Sequence, residues 1–260
     1  MARKEKSEYI IQAVSHALDL LEQFHEDVDE LGVTELSKRL KLHKNNVFRL
    51  LATLESRGYI EQNRATENYR LGLKSLELGQ TFIKQMGLLR QAKPVLEKIV
   101  QSCNETSYVT IFKEGHVVYL DVLETDMTVR VVSRVGSRLP AYCTASGKVY
   151  LANLSEDEIN EILPSEGLKT YTPTTIGTRS ELKNQLEKIA AQGYAIDDEE
   201  LDQGVRCVAA PIRDYTRRIV GAISISGPSM RLTNDRIQED LIPLVLQASD
   251  DLSTRLGYYK

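Results

Sequence analysis

The sequence has no tryptophan, only four phenylalanines, and few of the residues that carry covalent or metal chemistry. Its three cysteines, Cys103, Cys143 and Cys207, are odd in number and far apart. They match neither a CxxC pair nor a zinc spacing, which argues against a disulfide framework and fits a reduced intracellular setting. The four histidines, His16, His25, His43 and His116, are scattered over different segments. Only His116 lies in the C-terminal half, as a turn or edge residue, so no base stands ready to activate a nucleophile. The stretch ASGKVY is not a phosphate loop, because Tyr142 stands five before Gly147 and Val149 stands where a magnesium-binding hydroxyl belongs. No GxGxxG follows a strand. No cofactor, resident metal or catalytic group is therefore expected. One metal arrangement stays open, since two thiolates and a carboxylate, Cys143, Cys207 and Asp197, can hold zinc if the fold joins them. No run approaches the roughly 20 apolar residues of a membrane helix, and MARKEKSEYIIQ lacks the apolar core of a secretory signal. A cytoplasmic protein with no membrane partner is expected.

What is present suits a globular chain. At 260 residues, 42% hydrophobic and 27% charged, the sequence suits one small and one medium domain. The net charge of −4 hides an asymmetry. From Leu31 to Lys74 nine basic residues face four acidic ones, an excess of five, so the remainder carries −9. A polyanion would bind locally, at that basic segment.

Apolar spacing predicts a first helix with Ile10, Val14, Ala17, Leu18 and Leu21 on one stripe, ending near Asp27 to Leu31. A second opens at Thr34 as N-cap and buries Leu36 and Leu40. A third runs from about Lys44 to Ser56, buries Val47, Leu50, Leu51 and Leu54, and ends before Gly58, which permits a left-handed cap. Tyr59 to Gln62 and Tyr69 to Leu71 then read as a hairpin about the turn 63–68. Three short helices followed by a hairpin, with the basic excess on the third helix and the hairpin, is the arrangement of a winged helix-turn-helix. With the apolar positions inward, Lys44, Asn45, Asn46, Phe48, Arg49 and Thr53 fall on faces a DNA groove can meet. Asparagine can read adenine and arginine guanine, while Lys44 suits phosphate. In the wing, Asn63, Arg64, Asn68 and Arg70 suit the backbone or the minor groove. The plainer reading of any one residue stays open: an Asn pair also serves as a helix cap, and a charge run as a solvated turn.

The pattern from Leu73 to about Ile99 is mostly helical, with Leu76, Phe82, Ile83, Leu88 and Leu89 apolar and a break near Gly87. Beyond it SYVTIF, HVVYLDVLE and TVRVVSR read as antiparallel strands. Ser155 with Glu158, and Thr178 with Glu181, announce two helices by capping boxes, the second closed by Gly193. GVRCVAAPI and RIVGAISIS read as strands about a turn at Asp214 to Arg217. A last helix from about Asn234 to Leu256 is expected to kink at Pro243.

The N-terminal stretch VTELSKRLKLHKNNVFRLLATLESRGYIEQN with YRLG, and the C-terminal stretches RVGSRLPAYCTASGKVYLA, GYAIDDEELDQGVRCVAAPIRD and IVGAISISGP, resemble the IclR family of bacterial transcriptional regulators over nearly the whole chain. The sequence departs from the family where Asn45 and Asn46 replace a usual Ser/Thr pair, Lys41 a Gly, and Tyr142 a frequent His. The resemblance implies an α+β protein: a winged helix-turn-helix over 1–72, a connector helix over 73–87, and over 88–260 a GAF-like antiparallel sheet flanked by helices and carrying an effector pocket. Pocket positions then fall on Ala145, Ser146, Gly147, Asp197, Cys207, Ser224 and Ser226. Their chemistry is consistent with that role. Ser224 and Ser226, two apart on a strand, share a face, and Ser146 and Gly147 at a helix start offer amides to an anion. A small organic acid is the expected effector, with Asp197 accepting from a ligand hydroxyl and Cys207 as a small wall. Taken alone, alternating serines also describe a solvent face and a cysteine a small buried hydrophobe. The partners implied are double-stranded DNA at a near-palindromic operator, the effector, and further copies of the chain as a homodimer or dimer of dimers. The competing class is a metabolite-binding module or enzyme that does not bind DNA and uses its N-terminal helices only to oligomerise.

Overall fold

A computed structural model describes residues 10–25, 28–85, 87–132, 134–164 and 167–259. The chain forms two compact units that divide between residues 85 and 86.

In the first unit, helices α1 (Gln12–Leu21), α2 (Val33–Leu40) and α3 (Lys44–Ser56) precede strands β1 (Ile60–Gln62) and β2 (Tyr69–Leu71) and helix α4 (Leu73–Gln85). β1 and β2 pair antiparallel, and Leu31 adds a bridge to Tyr69, with both backbone bonds at 2.9 Å. Leu20, Leu31, Leu36, Val47, Leu51, Ile60 and Tyr69 form its core. Three expectations shift. Helix α1 ends at Leu21, well before the expected region, of which Asp27 lies outside the described residues, and its buried anchor is Leu20, whereas Ile10, Val14 and Leu18 are exposed. The apolar arc of α1 is wider than one core contact needs. Helix α2 begins one residue before Thr34, on an extended Gly32 with no side-chain cap, because Gly32 follows directly on the Leu31 bridge. Leu50 is only half-buried. Gly58 does take the left-handed conformation after α3, at φ +76°.

The second unit includes α5 (Gly87–Cys103); the break expected near Gly87 falls at residue 86, which lies outside the described residues, as do the side chains of Phe82 and Ile83. There follow β3 (Thr106–Lys113), β4 (His116–Leu123), β5 (Arg138–Pro140), α6 (Ala145–Leu151), α7 (Glu156–Ile162), α8 (Arg179–Gln192), β6 (Ala195–Asp198), β7 (Val205–Arg213) and β8 (Ile219–Pro228). The capping box at Ser155, the Thr178 cap and the left-handed Gly193 bound α7 and α8. The strands form one antiparallel sheet in the order β5-β4-β3-β8-β7-β6.

Alternation along these strands divides the core in two. Val109, Val208, Ala210, Ile212, Ile223 and Ile225 pack with α5 and the C-terminal helix, while Ala195, Cys207 and Ala209 join α6 and α8 in a second cluster. The C-terminal helix is α9 (Asn234–Arg236), a π-helical segment (Ile237–Leu241) and α10 (Ile242–Arg255), with Pro243 in its first turn. The irregularity expected at Pro243 thus takes the form of a π segment just before it, which suits a residue with no N–H to donate one turn back.

TVRVVSR is not a strand. The outer edge of β4 is taken by β5, and the segment before β5 is held by side chains: Thr106 Oγ1 donates to the Val131 carbonyl at 3.2 Å, Tyr108 Oη to that of Val132 at 2.7 Å, and Arg231 Nη1 to that of Val129 at 2.8 Å. β-Branched residues favour a strand only where an edge is free to receive them.

Lys41, between α2 and α3, is left-handed at φ +54°. That conformation costs a side-chain-bearing residue roughly 1–2 kcal/mol, offset in part by the greater entropy glycine loses on folding. Lys41→Gly is therefore expected to stabilise the N-terminal unit by about 0.5–1 kcal/mol. Its transition in urea denaturation of the full chain reads this, and an unchanged or lower midpoint would show that the position is not strained.

Candidate DNA-reading surface and effector pocket

On α3, Val47, Leu51 and Leu54 turn inward, and Lys44, Asn45, Asn46, Phe48, Arg49 and Thr53 are all exposed. An exposed Phe48 on a basic helix is unusual for a face that meets only water. Thr53 Oγ1 donates to the Arg49 carbonyl one turn back, at 2.8 Å, and so is partly engaged within the helix. The wing divides its residues. Arg64 is exposed at the turn, but Arg70 is held by Glu61, its cross-strand partner, at 2.7 Å. Asn63 Nδ2 donates to Glu30 at 2.6 Å while its Oδ1 accepts from the Ala65 amide. Together with Thr66 these bonds hold the Glu30 carboxyl below its usual range. Asn63 thus builds the wing, and Arg64 is left as its outward cation.

In the second unit, register assembles the polar face. Asp197 pairs with Cys207, Cys207 with Ser226, and one row on Ser224 pairs with Tyr108. Ala145, Ser146, Asp197, Cys207, Ser224 and Ser226 all line one cavity, with Tyr108, Tyr119, Val131, Arg134, Leu201 and Asp202. Gly147 is not on its wall. Its amide donates to Thr144 Oγ1 at 3.2 Å, and a Cβ there would lie 2.2 Å from the Ala141 carbonyl oxygen, so this glycine serves the close packing of α6 on the turn before it. Tyr142 is also elsewhere, buried with its hydroxyl donating to the Lys169 carbonyl at 2.7 Å. The open space in the cavity is about 20 Å³, room for roughly one water.

The floor is unusual in its charge. Lys148, on α6, is fully buried, with Nζ donating to the Ile196 carbonyl at 2.6 Å and to Glu200 Oε1. Glu200 Oε2 has no hydrogen-bond partner among the described residues, and burial pushes the Glu200 carboxyl up against the pull of Lys148. Asp197 Oδ1 accepts the Glu200 amide at 2.8 Å. Burial raises Asp197 to about 7 despite Lys148, and Glu200 and Asp202 add to the rise. Burial likewise lifts the Cys143 thiol to about 12 and the Cys207 thiol further. Among the described residues no three His, Cys, Asp or Glu side chains converge as a metal cluster, so the Cys143, Cys207 and Asp197 arrangement gains no support from the fold.

Sequence reasoning missed Arg134 and Asp202. Arg134 Nη2 is ion-paired with Asp202 Oδ2 at the cavity. Burial works against the guanidinium charge, yet Asp202 more than offsets it and holds the Arg134 pKa above its ordinary value. Arg134 opens the quoted stretch RVGSRLPAYCTASGKVYLA, but nothing in its spacing places it beside a residue 68 positions away.

Comparison with known proteins agrees with this architecture. The model of the IclR helix-turn-helix domain matches residues 13–64, and that of the bacterial transcriptional regulator IclR C-terminal region matches 80–254. The HTH-type transcriptional regulator XynR of Escherichia coli is 37% identical over 249 residues, covering 96% of this chain and 98% of its own. The crystal structure of the Thermotoga maritima IclR superposes with a TM-score of 0.77 at 30% identity, covering 95% of this chain and 99% of that one. An IclR homologue from Microbacterium hydrocarbonoxydans complexed with 4-hydroxybenzoate shares the fold, with a TM-score of 0.85 at 22% identity over 94% of this chain and 99% of that one. The chain belongs to the IclR family, as a DNA-binding transcriptional regulator with an effector-binding C-terminal domain.

Proposed function

We propose that the protein acts in the cytoplasm as a homodimer or pair of dimers on a near-palindromic operator, and that a small organic acid in the cavity bounded by Ser146, Asp197, Ser224 and Ser226 sets its affinity for DNA. The observation that carries the effector reading is the two-faced strand β8. Ile223 and Ile225 enter the apolar core, while the buried Ser224 and Ser226 stand on the cavity side. Hydroxyls on a cavity wall can donate to the oxygen atoms of a ligand, and two on one strand face can do so together. The fold also accommodates such a ligand elsewhere, since the M. hydrocarbonoxydans homologue holds 4-hydroxybenzoate.

On the DNA side, Asn45, Asn46 and Arg49 supply base-reading chemistry on the exposed face of α3, and Lys44 and Arg64 supply phosphate contacts. Self-association is supported by the exposed Val14 and Leu18 of α1 and Leu73, Leu76 and Leu78 of α4, more apolar surface than a monomeric reading head of this size leaves to water. Two heads on a two-fold axis then double the contacts one small domain can make.

Arg49→Ala and Asn46→Ala are expected to relax base preference by about 1–3 kcal/mol at the base each reads, whereas Arg64→Ala weakens binding to all sequences and lowers the salt slope by about one. Binding to a randomised operator pool at several salt concentrations separates the two. An Arg49→Ala protein with unaltered affinity and preference would remove α3 from the groove.

Ser224→Ala with Ser226→Ala should weaken the effector by roughly a hundredfold or more, because each lost hydrogen bond to a charged ligand costs about 1.5–3 kcal/mol. DNA affinity without effector should be unchanged. The measurement is operator binding across a panel of small carboxylates, and a folded double mutant that responds at the wild-type concentration would take both serines out of the site.

Asp197 gives the C-terminal unit a pH signature. With its pKa raised from 3.8 to about 7, the folded state holds a proton that the unfolded state releases. Its contribution is therefore fully present below about pH 4 and is lost as pH rises through 7. Asp197→Asn keeps the bond from the Glu200 amide and removes the titration, so in urea midpoints the mutant gains on wild type from pH 4.5 to about 7 and the difference then levels off. Parallel profiles would show that Asp197 does not titrate in this range.

A further inference from the structure

Arg134 is the one cation among the residues lining the effector cavity, and it is already paired with a carboxylate of the protein itself, Asp202. Around it the other groups offer hydroxyls, thiol or negative charge. A carboxylate entering this cavity therefore meets no uncommitted positive charge, and Asp197 and Asp202 repel it. Space poses the same problem, because about 20 Å³ admits roughly one water and no organic acid.

Both difficulties are relieved by the same movement. Ser146 is fixed on α6, and Asp197, Cys207, Ser224 and Ser226 are fixed in a hydrogen-bonded sheet. Arg134 and Asp202 sit on irregular segments before β5 and between β6 and β7, and their side chains are 26% and 42% exposed. Their mutual attraction is screened accordingly. The backbone on either side of Asp202 is held independently of the pair. Thr172 and Thr174 donate to the Glu199 carbonyl, Thr175 to that of Glu200, and the Val205 amide to that of Asp202 itself. Asp202 can thus release Arg134 by rotating its side chain toward solvent without unfolding its loop.

We propose that Arg134 is the carboxylate anchor of the pocket and that Asp202 is an internal carboxylate which the effector replaces on it. This rests on the reading of the cavity as an organic-acid site, and it adds the group that would recognise the acid and the contact it must break. An arginine fork suits a carboxylate in two-pronged geometry, whereas Asp202 engages Nη2 alone, so an incoming acid can make the better pair. The T-shaped rings of Tyr108 and Tyr119, 5.2 Å apart, flank the same space and favour an acid with a planar or apolar body. Selectivity would then be for an anionic acid over its uncharged amide.

The test uses the full-length protein and titration calorimetry with acetate, benzoate and 4-hydroxybenzoate, each against its neutral amide. Asp202→Asn, nearly isosteric, is expected to bind the carboxylates about tenfold more tightly than wild type while the amides change less than about twofold. Arg134→Gln should lose the preference for acid over amide, alone and combined with Asp202→Asn, and Arg134→Lys should recover part of it. Circular dichroism confirms folding of each variant. If a carboxylate binds wild type and Ser224→Ala/Ser226→Ala abolishes that binding, but neither Arg134→Gln nor Asp202→Asn alters it, the anchor assignment is overturned and the pocket reading stands. If no carboxylate binds either wild type or Asp202→Asn, both fall.

Discussion

The effector-binding unit depends on a single buried ammonium. Removing Lys148 from water costs several kcal/mol unless its charge and donors are met, and they are met by two groups near the end of β6, the Ile196 carbonyl and Glu200. Helix α6 and the β6–β7 turn consequently cannot move independently. Ser146 rides on the first and Asp202 on the second, while Asp197 lies in β6 just ahead of that turn, so opposite walls of the cavity share one frame. The Glu200 carbonyl is bonded by Thr175 and its amide by Asp197, which carries the frame on to the floor of the pocket. The orphan Glu200 Oε2 and the raised Asp197 follow from confining two carboxylates around one cation in a site that admits little water.

A frame this rigid places adaptation elsewhere. The described residues 124–132 and 134–137 contribute Val131 and Arg134 to the cavity wall and are pinned at a few points, by the backbone bonds of Gly136 and Ser137 with Tyr119 and by side chains. One of them, Arg231, is itself clamped by the buried Glu105, which Arg236 also holds at 2.9 Å. An effector alters DNA affinity only through unequal binding to two arrangements of the protein. A segment fastened by a few discrete bonds can exchange one set for another, whereas a sheet or the Lys148 frame would have to break as a whole. The arrangement that responds to ligand is therefore to be sought in this segment and its Arg134 contact.

How much of this was legible in the sequence depended on range. Elements fixed by local chemistry could be read directly: the cap at Ser155 by its partner Glu158, the end of α8 at Gly193, the shared face of Ser224 and Ser226 by the period of a strand. The loss of TVRVVSR as a strand could not be read, because its composition is that of a strand and only the prior claim of β5 on the edge of β4 excludes it. Nor could Thr34 be seen to lose its capping role, since the bridge from Leu31 to Tyr69 decides where α2 begins. The family resemblance supplied the pocket positions; it did not supply Arg134, Asp202 or the burial of Lys148, whose roles arise between residues 48 to 68 positions apart. Gly147 shows the converse: a residue beside the pocket in sequence is held there for packing.

The same distinction revises the electrostatics of the reading head. Counted along the sequence, nine basic residues give the segment from Leu31 to Lys74 its excess. In the fold Arg39, Arg70 and Lys74 are paired with Glu35, Glu61 and Glu77. Such exposed pairs are worth at most about 1 kcal/mol each, so phosphate can compete for them, but each release also leaves a carboxylate facing the DNA. Lys44 and Arg49 on α3 and Arg64 on the wing make no ion pair among the described residues. Lys38, Lys41 and Arg57 likewise make no ion pair among the described residues, so six uncommitted cations remain, on α2, α3, the turns beside them and the wing tip. On a chain of net charge −4, a local excess of this kind favours a polyanion at the N-terminal unit. In the proposed reading sequence preference then falls to Asn45, Asn46 and Arg49, because cations that meet only phosphate fix position without distinguishing one base from another.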